Sequence, residues 1–202
     1  MNQITRSFNN LGSTDGIQSA ALRYNELARD ILSAGIARGD FLLSDGRATN
    51  YYFSRYSIFT KPTIIRRLAG LIADRLPGTT DRLAGDIDGS LMLAEAVSLH
   101  TGLPYVAVRR SQAGPANDLE GEIYQGETVV VIEDIISTGE HALEVVRKVK
   151  SIGASVPCVL AAIDRRDGAA AKLADEGVAL DSLYTADDLI PSDDTVGSAT
   201  RR

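Results

Sequence analysis

Apolar positions return along this chain with two alternating periods. From Ala20 to Ala34, Leu22, Leu27, Ile31 and Leu32 recur at near-helical spacing, and Gly35 stands where a helix would stop, which predicts an amphipathic helix. The stretch FLLSDGRATNYYFSRY, residues 41–56, opens apolar, turns at Asp45-Gly46 and resumes with aromatics, the pattern of a hairpin. Pro62 then opens TIIRRLAGLIADRL, where Ile64, Ile65, Leu68, Leu71, Ile72 and Leu76 trace a stripe at helical period behind a first-turn proline.

Beyond residue 80 the segments RLAGDIDG (82–89), LMLAEAVSLHTG (91–102), PYVAVRR (104–110), TVVVIED (128–134), EHALEVVRKVKSIG (140–153) and VPCVLAAIDRRDG (156–168) alternate strand-like with helix-like patterns. Repeated strand, loop and helix units imply right-handed crossovers and an α/β fold with a mostly parallel sheet. Ligands of such sheets bind at the carboxyl ends of the strands, so the loops after Ala84, Val108, Ile132 and Ile163 are the places to look. Residues 1–18 and 191–202 are polar and aperiodic and read as flexible tails around one domain spanning 19–190.

Composition narrows the function classes. A chain of 202 residues, 44% of them hydrophobic, is long enough for one sizeable core and is not disordered throughout. Its net charge of −6 opposes general binding to nucleic acid, which needs clustered Lys and Arg. Cys158 is the lone cysteine, and His100 and His141 are the two histidines, so neither a disulfide framework nor a Cys/His zinc cluster can be assembled. The N-terminus lacks the apolar core of a signal peptide, and no apolar run approaches the ~18 residues a bilayer requires. The expectation is a cytoplasmic protein with no membrane partner.

The most informative segment is TVVVIEDIISTGEHALEVVRKVKSIG, 128–153, in which a buried apolar strand ends in Glu133-Asp134 and passes through Ser137-Thr138-Gly139 into a helix. N–H groups at the helix start, with the hydroxyls of Ser137 and Thr138, suit a phosphate, and Gly139 permits close backbone approach. The two acids suit a ribose diol and positive charge developing on a sugar ring. Spacing alone allows equally a strand ending in solvated acids before an ordinary Ser/Thr-capped helix. It is no Walker loop, lacking Gly-Lys-Ser/Thr, and has no dinucleotide glycine fingerprint.

As a whole, this segment resembles the phosphoribosyl-diphosphate (PRPP) motif of type I phosphoribosyltransferases. FLLSDGRATNYYFSRYSIFTKP resembles the N-terminal hood of the orotate phosphoribosyltransferases, and AAIDRRDGA, 161–169, resembles that family's Asp-Arg followed by polar, acidic and Gly residues. The resemblance covers about residues 20–190. It implies a type I phosphoribosyltransferase-like core with a small hood mainly within 20–60, and transfer of ribose 5-phosphate from PRPP to orotate, with Mg²⁺ carried mainly by PRPP. It further implies that Arg109, Arg110, Glu133, Asp134, Ile135, Ile136, Ser137, Thr138, Gly139, Glu140 and His141 contact PRPP, with Asp134 and Arg110 catalytic. Tyr52, Phe53, Ser137 and Arg165 would contact orotate, and loop 111–121 would close over the site of a homodimer. Read without the resemblance, Arg165 is a surface partner of Asp164 or Asp167, Tyr52 and Phe53 are core aromatics, and His141 is a solvated helix residue.

The chain departs from the family at several charges. SQAGPANDLEGE follows Arg109-Arg110 without the loop Lys and His the family carries, and Ser44 and Asp88 stand where many members have Lys. Glu140 replaces a second Gly and His141 a small hydroxyl residue. These changes motivate two alternatives: a PRPP- or nucleotide-sensing protein without turnover, and a transferase for another base.

Overall fold

The computed structural model describes residues 14–42, 48–109 and 118–190, with side chains of the first helix from Ala21 onward. Contacts divide the chain into two compact units, Met1–Ser54 and Arg55–Arg202.

In the first unit, helix α1 (Thr14–Gly35) runs into β1 (Ile36–Leu42), which pairs antiparallel with β2 (Ala48–Phe53). A hairpin stands where the sequence predicts one over 41–56, but its first strand starts earlier, at Ile36, and its second ends at Phe53, so that Arg55 and Tyr56 open a helix instead. The hairpin turn at Asp45-Gly46 lies outside the described residues. α1 also starts earlier than the periodicity implies, inside the segment read as a tail, because Thr14–Ala20 carry no apolar period that would announce it.

The second unit contains α2 (Arg55–Phe59), α3 (Pro62–Ala73), β3 (Arg82–Asp86), α4 (Leu91–Thr101), β4 (Tyr105–Val108), β5 (Leu119–Glu120), β6 (Val129–Ile136), α5 (Glu140–Ser151), β7 (Cys158–Asp164), α6 (Ala169–Asp175), β8 (Ala179–Thr185) and α7 (Ala186–Leu189). Its six-stranded sheet has the order β5-β4-β3-β6-β7-β8, parallel except for β5. The five parallel strands therefore follow the doubly wound order 2-1-3-4-5, and the order reverses between β3 and β6. Successive crossovers leave in opposite directions from that point, so their helices cover opposite faces. Ala142, Leu143, Val145, Val146 and Val149 of α5 pack with Ala84, Val106, Val129, Val131 and Val159 of the strands in one core, while α3 and α4 pack together and against β strands elsewhere. Divergence of the crossovers opens a crevice beyond the carboxyl ends of β3 and β6, as it does in other open α/β sheets.

Two readings of the strands change. β6 does not end at Glu133-Asp134: it continues through Ile136, because β7 goes on pairing with it, Ile135 opposite Ile163 and Ile136 opposite Asp164. Both acids are consequently buried within the strand, and alternation turns them to opposite faces of the sheet. β8 and the short α6 and α7 follow where no element is evident in the sequence.

Candidate active site

The turn after β3 and the strand end of β6 form the two sides of the switch point. At the turn, the Gly89 N–H donates to the Asp86 carbonyl at 3.0 Å, the Asp88 N–H to Asp86 Oδ1 at 3.2 Å and the Asp86 N–H to Ser90 Oγ at 3.1 Å. Across from it, Asp134 is 1% exposed, with its Oδ2 2.5 Å from Arg55 Nε in a close charge contact that lacks hydrogen-bond alignment. Burial pushes the Asp134 carboxyl upward from its ordinary value, whereas the Arg55 charge and the Ile135 N–H, which donates to Oδ1 at 2.6 Å, pull it down. Asp86 adds to the upward push.

Beyond Ile136 the chain leaves the sheet through half-buried Ser137 and Thr138 to Gly139, the residue before α5. Gly139 has φ +78°, and a Cβ there would lie 2.9 Å from Ala169 Cα and 3.0 Å from Ala169 Cβ. Only glycine meets both demands, the left-handed backbone and the near contact with the start of α6. No side chain caps α5, so the N–H groups of its first turn are left for a ligand, in the field of a 12-residue helix. Glu140 is exposed, and its Oε1 accepts from Lys172 Nζ at 2.9 Å, which holds its carboxyl below the ordinary value. That pairing draws the carboxylate toward α6. His141 is exposed, Ile135 half-buried and Ile136 buried.

Ser137 Oγ donates to Asp167 Oδ2 at 2.6 Å, and Arg165 Nε lies 3.6 Å from the same oxygen. Asp167 thus gathers Ser137 from the β6 loop and Arg165 from the β7 loop, two residues the sequence had only aligned with a motif. The turn that carries them is tight: Arg166 adopts φ +59°, and its N–H donates to Asp164 Oδ1 at 2.7 Å.

Arg109 follows β4, the neighbour of β3 on the side away from β6. Its N–H donates to the Asp118 carbonyl at 2.6 Å, its carbonyl accepts from Lys148 Nζ at 2.6 Å, and its guanidinium lies 3.4 Å from Glu120. Lys148 also reaches Asp118 Oδ2 at 3.1 Å and Glu144 Oε1 at 3.0 Å. Burial works to lower the Lys148 pKa, but these carboxylates outweigh it and leave the value raised. Arg110 and most of loop 111–121 lie outside the described residues. In the hairpin unit, Phe53 is buried against the edge of Tyr51, ring centroids 5.4 Å apart, while half-exposed Tyr52 lies tilted on Phe41 at 5.7 Å.

Arg55 was not evident from sequence, where a single basic residue behind an aromatic strand carries no signal. Asp167 was visible there only as a possible salt-bridge partner. Among the described residues, no group of three or more His, Cys, Asp or Glu side chains is gathered where it could hold a metal ion. No described helix is long and apolar enough to cross a membrane.

No protein-family model matches the chain. It is 39% identical over 154 residues to the orotate phosphoribosyltransferase of Natronomonas pharaonis, covering 75% of this chain and 88% of that one. With the orotate phosphoribosyltransferase of Methanocella arvoryzae it shares 34% identity over 168 residues, 82% of this chain and 96% of the relative. The crystal structure of the enzyme from Aeropyrum pernix superposes with a TM-score of 0.74 at 26% identity, over 85% of this chain and 99% of that one. With relatives matched along most of their length, and with a doubly wound sheet whose switch point carries the two acids and the Ser137–Gly139 loop, the chain belongs to the orotate phosphoribosyltransferase family.

Proposed function

We propose that this protein transfers ribose 5-phosphate from PRPP to orotate, releasing pyrophosphate and forming orotidine 5′-phosphate for pyrimidine nucleotide synthesis. The observation that carries the reading is the convergence at the carboxyl ends of β6 and β7 of an uncapped helix start, a buried carboxylate and the Ser137–Asp167–Arg165 group.

The 5-phosphate is taken by the loop Ser137–Gly139 and the first N–H groups of α5, including those of Glu140 and His141. Asp134, two residues before the end of β6, accepts from the ribose hydroxyls and supports the cation-like ribose as the bond from C1 to the diphosphate breaks, with Glu133 on the opposite face of the strand adding negative charge beside it. The electron pair leaves with the pyrophosphate, the orotate N1 closes on C1, and the N1 proton is released. Ile135 and Ile136 carry the backbone between acids and loop. Arg109 and Arg110 neutralise the leaving group, and Mg²⁺ carried by PRPP would offset further diphosphate charge. Orotate binds through its carboxylate to Arg165, whose planar fork suits a bidentate pair, with Ser137 beside it. The carboxylate of Asp167 already occupies that corner, so orotate binds by replacing one anion with another. The protein acts as a cytoplasmic homodimer.

The segment after Arg110, which lacks Lys and His, keeps the sensor reading in play. One assay separates them: formation of orotidine 5′-phosphate by purified protein with Mg²⁺ and PRPP, with orotate, uracil, hypoxanthine and adenine as parallel acceptors. Product from orotate alone is expected. Absence of product with every base, alongside PRPP-dependent thermal stabilisation, would favour the sensor.

A further inference from the structure

The switch point holds acids where the substrate is an anion, and its compensating cation comes from an element outside the sheet. α2 is five residues long and is fixed by Ile58 and Phe59, both buried. Arg55, its first residue, extends across the crevice: Nε is 2.5 Å from Asp134 Oδ2, and Nη1 donates to the Asp88 carbonyl at 3.1 Å. A Cβ on Gly89 would lie 3.3 Å from Arg55 Nη1 and 3.2 Å from Asp86 Oδ2, so the guanidinium is seated against the turn itself. One side chain therefore touches both sides of the crevice, the β6 carboxylate and the β3 turn.

We propose that Arg55 is a positioning residue for PRPP, holding Asp134 as an aimed carboxylate and fixing the Asp86–Ser90 turn beside it. The inference rests on the transferase reading above for its substrate. It assigns a spatial origin to positive charge that the turn lacks in sequence, where Asp88 stands. A buried carboxylate accepts from ribose hydroxyls through both oxygens, and supports positive charge on the ring, only while ionised, and burial together with Asp86 favours its protonated form. Other charged groups of the neighbouring elements are engaged elsewhere: Glu95 of α4 accepts from the Tyr105 hydroxyl, Asp164 of β7 from the Arg166 N–H, and Glu140 of α5 from Lys172. Glu133 is the adjacent residue on the opposite face of β6, and Asp88 meets Arg55 through its carbonyl.

The test follows kcat/KM for PRPP between about pH 5 and 9 in the wild type, Arg55→Lys and Arg55→Met. Arg55→Met is expected to lose roughly 10- to 100-fold at neutral pH, with its acid limb displaced to higher pH, and Arg55→Lys to keep the wild-type limb. An unmoved limb in Arg55→Met, or equal losses in both variants, would overturn the proposal. Calorimetric PRPP binding supplies a second arm: in an Asp134→Asn background, Arg55→Met should cost far less affinity than it does alone. Full additivity would overturn action through Asp134, and this arm needs no turnover. A wild type that binds PRPP but makes no product would therefore refute the enzyme reading while leaving the Arg55 question answered, and one that does not bind PRPP would overturn both.

Discussion

Alanine at Gly139 tests whether the phosphate loop is built on close packing or on backbone freedom alone. The structure supplies its own control. Gly102 follows α4 with φ +77° and ψ 2°, and Gly139 precedes α5 with φ +78° and ψ 4°, so alanine meets the same backbone cost at each. At Gly102 a Cβ would enter open space, whereas at Gly139 it would lie 2.9 Å from Ala169 Cα, a backbone atom that can retreat only by moving α6. The shared conformational cost is about 1 kcal/mol. Overlap in a packed site adds about 2 kcal/mol more. At roughly 3 °C per kcal/mol for a chain of this size, Gly102→Ala should melt about 3 °C lower and Gly139→Ala about 9 °C lower. Thermal unfolding at fixed protein concentration gives both values. The KM for PRPP should rise in Gly139→Ala, whose α5 start is displaced, and stay at the wild-type value in Gly102→Ala. Coincident melting temperatures would refute the steric argument and leave the left-handed backbone as the sole demand for glycine.

Arg165→Ala should raise the KM for orotate with little change for PRPP, and steady-state kinetics showing an equal loss for both substrates would contradict the assigned carboxylate contact. Arg82, 7% exposed, binds Glu127 through two hydrogen bonds of 2.9 Å, which hold the glutamate below its ordinary value of 4.5. The stability from this pair is complete above that value and is lost as pH falls through the lower folded one, so the melting-temperature gap between wild type and Arg82→Met should be widest near neutral pH and close in acid. Lys148→Met leaves buried Asp118 without its ammonium partner and should cost about 3 kcal/mol in chemical denaturation, and adding Asp118→Asn should return part of it. A double variant less stable than Lys148→Met would count against the pairing.

The repeating strand and helix pattern was legible because its apolar stripes are strong: Ile64, Ile65, Leu68, Leu71 and Ile72 mark α3, which stops at Ala73 short of Leu76, and Val129–Ile132 mark β6. What escaped depends on neighbours distant in sequence. Glu133 and Asp134 read as the solvated end of a strand because acids ordinarily are, and only pairing with β7 carries the strand past them. β8 escaped because Asp181 and Ser182 interrupt its apolar positions. The motif aligned Arg165 and Ser137 with a base site but had no means of showing that Asp167 joins them. Arg55 is the clearest case, since its meaning lies 79 residues away in Asp134, beyond the reach of any local pattern.

The two rims of the six-stranded sheet bear on how the protein behaves at high concentration. One rim is β5, only two residues long, with exposed Glu120 at its end. At the other, β8 presents exposed Asp181, and Arg75 donates to the Ser182 carbonyl at 2.6 Å. A short strand, fixed charges and an occupied acceptor all discourage another chain from adding itself by backbone pairing. Any self-association through this sheet must then bury side chains against side chains, which keeps it apart from the route that leads parallel sheets into fibrils.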